Sequence, residues 1–277
     1  MQQCFIGHYN TRNTKSTESP NSLTINGIVT TKKNYGMLIK TKGIVFKTRK
    51  YSETSVIADI FTEAKGLRSY IIGGVRTQKA KVSAGLLQMM TPVEIVAYHR
   101  EDKDLTRLKE IKALRVYHTI PFDMQRRAVG MFMIEIAQKT IHGHEEHPEL
   151  FEFLLNNFLF LDETSQPIVN LHLHFMIALT EHLGFQPGGD FSRKSPFFDL
   201  QEGIFTAAQP PHHHWLAPDL AEKLSQLINF PKDKCHEVNF TRQERKIFLK
   251  NLIDYYRLHI EHFPVIHSHE VLEEVFG

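Results

Sequence analysis

The sequence predicts an α+β chain of two domains, a small N-terminal β-barrel followed by an all-α helical domain. From Met37 to Val116, short β-branched and apolar runs alternate with turn and charge clusters, the pattern of about five strands closing on themselves. After Pro121 the apolar spacing changes from 2 to 3.6 residues, the period of helices with one buried face. Charge divides at the same place. Residues 37–118 hold 16 basic and 8 acidic side chains, whereas residues 119–277 hold 13 basic and 22 acidic ones. The net charge of +2 therefore conceals a basic half and an acidic half.

Residues 1–36 are rich in Asn, Ser and Thr and show neither period. Such a segment buries too little apolar surface to offset its ordering entropy, so it is expected to be a disordered extension. A targeting or interaction arm, or a translation start at Met37, is the alternative. The two cysteines, Cys4 and Cys235, do not suggest a disulfide framework, and a reducing compartment suits them. No apolar run reaches bilayer length, and the first residues lack a secretory pattern. A cytosolic protein without membrane contact is expected.

The first strand spans 41–48, with Ile44 and Phe46 on one face and Val45 and Lys47 on the other by simple alternation. Arg49, Lys50, Tyr51 and Ser52 form a polar turn. A second strand (55–62) and a third (67–75) follow, the third ending at Gly73-Gly74, where the missing Cβ permits a sharp bend. Residues 76–81 are a basic connector carrying Arg76, Lys79 and Lys81, followed by the apolar stretch 84–90. The fourth strand spans 92–99. Residues 101–104 make a hairpin to the fifth (104–116), on which alternation places Arg107, Lys109 and Ile111 together.

In the acidic half, Asp123 can cap a helix whose inner face holds Val129, Phe132, Met133, Ile136 and Thr140. Pro148 suits the first turn of the next, with Phe151, Leu154, Leu155, Phe158 and Leu159 as its stripe. A third helix is expected from Gln166-Pro167 to about His182, with Leu171, Phe175 and Ala178 facing in. Residues 184–215 read as irregular, and 218–228 as a short helix. Thr241 and Glu244 form a capping box for a helix bearing Phe248, Leu252, Tyr255 and His259. Residues 268–276 add a last helical turn or two. The domains are thus 1–36, 37–118 and 119–277.

The excess of positive charge on the barrel points to an anionic ligand, nucleic acid first. A groove that tracks a phosphate backbone needs cations on several strands and a mobile connector, together with aromatic rings for the bases. Lys47, Arg49, Lys50, Arg76, Lys79, Lys81, Arg107 and Lys109 meet the first requirement; a solvated basic surface is the bland alternative. Phe46, Tyr51, Tyr70 and Tyr98 are candidate platforms, but inward rings of small barrels usually serve packing. His142, His144, His147, His172, His174, His182 and His212–His214 have metal-ligand chemistry. Yet His172 and His174 stand about 200° apart on a helix, and no CxxC pair occurs. The histidines are read as surface or boundary residues. No P-loop, dinucleotide fingerprint, nucleophile elbow or HExxH is present, so the expectation is a binding protein without catalytic activity.

The segments KGIVFKTRKYSETSVIADIFTEAKG, GGVRTQKAKVSAGLLQMMTPVEI and DLTRLKEIKAL resemble the bacterial RecO family of DNA repair proteins. FFDLQEGIF at 197–205 and HFPVIHSHEVLEEVF at 262–276 are similar to that family's later landmarks, so the resemblance covers nearly everything after residue 37. It implies an N-terminal OB-fold barrel and an α-helical domain. It also implies a recombination mediator that binds single- and double-stranded DNA, anneals complementary strands and helps load recombinase onto coated single strands. The implied partners are RecR and the acidic C-terminal tail of single-stranded DNA-binding protein. The DNA role carries over to the eight basic positions named above, all in matching motifs. Many family members hold zinc on four cysteines in the irregular part of the helical domain. Residues 184–215 contain no cysteine, so no cofactor is expected, and packing of Phe191, Phe197, Phe198 and Phe205 is expected in its place. An acidic, apolar-ended tail needs a hydrophobic pocket with cations at its rim, for which Arg126 and Arg127 are candidates. The competing readings are an adaptor whose barrel binds an acidic protein, and a histidine-dependent metalloenzyme.

Overall fold

In a computed structural model of the chain, the described residues are 22–25, 28–31, 37–75, 82–100 and 103–276. Strands β1 (Ser22–Ile25) and β2 (Ile28–Thr31) pair antiparallel, with Ile25 opposite Ile28. They lie within residues 1–36, where the composition suggests disorder, and correct that expectation for this stretch. The overlooked signal is local: Asn-Gly between two runs rich in β-branched residues is a hairpin pattern, which needs no period-3.6 face and little core.

A closed barrel follows, made of β3 (Met37–Lys50), β4 (Val56–Thr62), β5 (Gly66–Ile72), β6 (Pro92–His99) and β7 (Leu105–Ala113). Long β3 pairs with β6 through its first half and with β4 through its second. Strand β5 closes the barrel against β7 in parallel, giving the order β3-β4-β5-β7-β6. This five-stranded arrangement is that of an OB-fold. Its interior is filled by Val45, Ala58, Ile60, Tyr70, Val93, Ile95, Leu108 and their neighbours.

Two β-bulges decide which side chains look outward. On β3 the register passes from Val45↔Ile60 to Lys47↔Asp59, leaving Phe46 as the extra residue. Val45 points in, while Phe46 and Lys47 both point out. The alternation that put Lys47 on the side of Val45 is thereby overturned, because a bulge shifts the two-residue period by one. On β7 the register passes from Val96↔Glu110 to Ala97↔Leu108, with Lys109 extra. Leu108 and Ile111, three apart, are consequently both inside, and Ile111 does not share the exposed face of Arg107 and Lys109.

The helical half contains α1 (Met124–Thr140), α2 (Pro148–Glu163), α3 (Leu171–Leu183), α4 (Pro218–Asn229), α5 (Arg242–His259) and α6 (Ser268–Val275). Asp123 accepts the backbone N–H of Arg126, and Thr241 and Glu244 form the expected capping box. Helix α3 starts at Leu171 rather than near Pro167. Buried Asn170 stands before it, donating to the carbonyls of Cys235 and Val238. This helix is covered on most sides, and His172 is part of the core. The expectation of a surface or boundary residue fails there because α3 is central. Residues 184–215 are less irregular than expected. Strands β8 (Phe197–Asp199), β9 (Ile204–Thr206) and β10 (Trp215–Leu216) form a small antiparallel sheet in the order β10-β8-β9.

Residues 37–277 form one compact unit, since barrel and helices share a core. Ile44, Phe46, Phe61 and Met90 leave the barrel to join the helices, and Phe46 stacks on Phe61 at 5.5 Å. The carbonyl of bulged Phe46 accepts from Gln138 of α1. Between β7 and α1, Asp162 of α2 accepts the backbone N–H groups of His118, Thr119 and Ile120 at 2.8, 2.8 and 2.9 Å. Burial pushes its pKa up, but these donors outweigh it and hold the carboxyl below the usual range.

Candidate nucleic-acid interface

Cross-strand register assembles two rows on the outer face of the barrel. One runs Lys47, Asp59, Ser69, Leu105 over β3, β4, β5 and β7; the next runs Arg49, Ile57, Ile71, Arg107. Arg49 and Arg107, 58 residues apart in sequence, thus flank one apolar pair. Lys47, Arg49, Lys50, Arg107 and Lys109 are all exposed. Lys50 lies at the rim, 3.6 Å from Glu53 in an exposed ion pair of little energetic weight.

The turn between β3 and β4 stands beside this face. Tyr51 and Ser52 donate their N–H groups to the Ser55 carbonyl, and Val75 donates to Thr54, so the chain leaving β5 is pinned to that turn. A Cβ placed on Gly73 would lie 3.7 Å from Arg107 Nη2 and 3.9 Å from Ser55 Oγ. The first residues after β5 therefore start close to Arg107. Arg76, Lys79 and Lys81, the basic residues of that connector, lie outside the described residues. The face and the β3–β4 turn coincide with part of the region an OB-fold uses for oligonucleotides, its second and third strands and the loop after its first.

The aromatic candidates separate. Phe46 and Tyr70 are buried, one against the helices and one inside the barrel. Tyr51 is 57% exposed on the β3–β4 turn, placed for a base to stack on it. Asp59 is the feature that motif reading overlooked: its Oδ2 accepts from Arg49 Nη1 at 2.7 Å, and its Oδ1 accepts from Ser69 Oγ at 2.5 Å. No linear spacing in the sequence links these three residues.

The candidates for a partner pocket also separate. Arg126 donates to the carbonyls of Leu161 and, at 2.7 Å, Thr164, satisfying acceptors at the end of α2. Exposed Arg127 donates to the Pro121 carbonyl. A cavity of about 240 Å³ lies elsewhere, between α5 and α6. Arg242, Arg245 and Lys246 surround it, Leu249, Leu272 and Phe276 supply apolar wall, and His172 lies at its base. Lys246 is paired with Glu273 at 2.7 Å. His172 Nδ1 has no hydrogen-bond partner, and burial, helped by the Arg245 charge, pushes its pKa down to about 3. The sequence signal was available as Arg242, Arg245 and Lys246 on one turn of a capped helix with Leu249 beyond them, but Leu272 and Phe276 come from the α6 segment and His172 from α3.

The residues where the resemblance implies a zinc site do not fit one built on thiolates. Residues 184–215 lack cysteine, and His212 is engaged, Nε2 with Asp199 Oδ2 at 3.2 Å and Nδ1 with the N–H of His214. Phe198 packs edge-on against Phe205 at 4.9 Å, Phe191 against Phe205 at 6.2 Å and Phe197 against Trp215 at 5.6 Å. Among the described residues, no group of three or more His, Cys, Asp or Glu is arranged to hold a metal.

Residues 37–117 match the family described as recombination protein O N terminal, and residues 121–268 match recombination protein O C terminal. The chain belongs to the RecO family. A DNA repair protein RecO from Phocaeicola vulgatus is 33% identical over 241 residues, which are 87% of this chain and all of that protein. The DNA repair proteins RecO of Bacteroides fragilis (34% over 241 residues) and Flavobacterium psychrophilum (35% over 245 residues) are covered to the same extents. The two RecO matches meet between residues 117 and 121, the segment that Asp162 holds, and both lie within the unit 37–277. Among the described residues, no helix is long and apolar enough to cross a membrane.

Proposed function

We propose that this chain is a noncatalytic recombination mediator of DNA repair, acting in the bacterial cytosol on the nucleoid. It binds single- and double-stranded DNA through the barrel, anneals complementary strands and helps load recombinase onto single strands coated by single-stranded DNA-binding protein. The observation that carries the reading is the outward basic face, on which a bulge turns Lys47 out of the barrel and register brings Arg49 and Arg107 to either side of one apolar pair. Such a face neutralises phosphates without reading base identity.

RecR and the acidic tail of single-stranded DNA-binding protein are the proposed protein partners. For the tail, the cavity between α5 and α6 is preferred to Arg126, because it joins Arg242, Arg245 and Lys246 to the apolar wall of Leu249, Leu272 and Phe276. Three cations beside an apolar wall suit carboxylates on an apolar-ended peptide.

Binding of labelled single and double strands, measured across salt concentrations, tests the reading. Affinity should fall steeply with salt, with a slope of about −0.7 per neutralised phosphate for single strands. Replacing Arg76, Lys79 and Lys81 together by Ala, or Lys47, Arg49 and Lys50 together, should weaken binding on all sequences alike and flatten the slope. A chain that retains no DNA but captures an acidic protein would establish the adaptor reading in its place.

A further inference from the structure

Within the two cross-strand rows of the proposed strand-binding face, one side chain has the wrong sign. Asp59 sits at the centre of the basic rows, with Lys47 opposite it in the register and Arg49 bonded to it. Its side chain is 20% exposed and both carboxylate oxygens are occupied, one by Arg49 and one by Ser69. The Arg49 side chain is 49% exposed, so the carboxylate is fixed on the sheet while the guanidinium stays within reach of solvent. A strand phosphate offers the same planar donor the same kind of oxygen acceptor, with more charge.

We infer that Asp59 is a resident competitor for strand phosphates, holding Arg49 against the sheet in the empty site and yielding it when a single strand binds. This rests on the reading of the face as a strand site and deepens it. A half-exposed ion pair is weakly held, so the exchange is readily reversed. The competitor keeps strand binding loose enough for release, as an annealing or loading protein requires. Ser69 keeps the carboxylate in place after Arg49 leaves, so that the pair can re-form.

Asp59→Asn is nearly isosteric and can still accept from Ser69. A labelled oligothymidylate, titrated across potassium chloride concentrations, should bind this variant severalfold more tightly than the unaltered chain. Its salt slope should stay close to that of the unaltered chain, because Arg49 meets a phosphate in both complexes and only the cost of leaving Asp59 is removed. Most of that gain should vanish when Asp59→Asn is made in an Arg49→Gln background, because there is no guanidinium to release. Weaker binding by Asp59→Asn with an unchanged melting temperature would overturn the proposal, making Asp59 the residue that presents Arg49. Equal gains in both backgrounds would overturn it too, as a general charge effect. Asp59→Ser gives the same comparison if the Asn variant melts early. Absence of salt-dependent binding by the unaltered chain would instead defeat the strand-site reading itself, and this proposal with it.

Discussion

His172 shows how far tertiary burial can move one side chain from its sequence reading. Its ring packs edge-on against Phe132 at 5.8 Å and lies parallel to Phe276 at 6.1 Å. Burial, with the nearby Arg245 charge, holds its pKa near 3, and the partly buried His174 is also shifted down, first by burial. Folding therefore demands neutral imidazoles. Above pH ~6.5, where an unfolded histidine is also neutral, there is no penalty. As pH falls below that value the unfolded chain takes up protons that folded His172 cannot, and stability is lost progressively down to about pH 3. At pH 5 the loss from His172 is roughly 2 kcal/mol, at about 1.4 kcal/mol per unit. Urea unfolding at pH 7 and pH 5 should reveal this slope, and His172→Gln should reduce it. An unaltered slope in that variant would assign the acid sensitivity elsewhere.

Among the elements, turns and bulges matter more than strand propensity. The β4–β5 turn contains Gly66 at φ +58°, where a Cβ would press on the backbone of residues 144 and 145 from the helical half. Leu67 N donates to the Gly143 carbonyl beside it. Gly184, which ends α3 at φ +83°, has nothing within 4 Å of a Cβ. The pair makes a controlled comparison. Gly184→Ala should cost about 1–2 kcal/mol, the left-handed backbone penalty alone. Gly66→Ala should cost about 1–3 kcal/mol more, because backbone cannot move aside as a flexible side chain can. Chemical denaturation of the two variants checks the order; equal losses would mean that the 141–147 segment yields easily. Bulges belong to the same scale, and here the sequence was silent. Neither Phe46 nor Lys109 is a glycine or otherwise marks its position. What selects the bulge at Phe46 is the demand that Phe46 reach the helical core while Val45 fills the barrel.

At the level of the whole molecule, the join between barrel and helices is apolar at its centre and ionic at its edge. Lys42 bridges Glu63 and Glu152, each at 3.0 Å, and Lys65 reaches Glu146 at 2.5 Å. These pairs are substantially exposed, so Lys42→Met or Lys65→Met should change stability by less than about 1 kcal/mol. Phe61 is fully buried between Phe46 and Phe151, and Phe61→Ala should cost about 3–5 kcal/mol. The single tryptophan, Trp215, lies in the helical half. If the two halves unfold together, Phe61→Ala in the barrel should lower the midpoint reported by Trp215 fluorescence as much as that reported by circular dichroism. Two separate midpoints would refute a shared core as the source of cooperativity.

Local pattern in the sequence was enough to order the barrel strands and the helices, to cap α1 and α5 and to divide the chain into basic and acidic halves. These depend on neighbours within a few residues, or on composition, and both survive without knowledge of contacts. Family membership was legible for a related reason, since its motifs are local strings spread over the length of the chain. Only the tertiary structure decided which basic residues face the solvent together, because a one-residue bulge inverts the facing of everything beyond it. Only the tertiary structure placed Asp59 under Arg49, made His172 a core residue and put the α5–α6 cavity beside three cations. Each of these is set by elements far apart in the chain, and their proximity is a product of packing that no spacing in the sequence encodes.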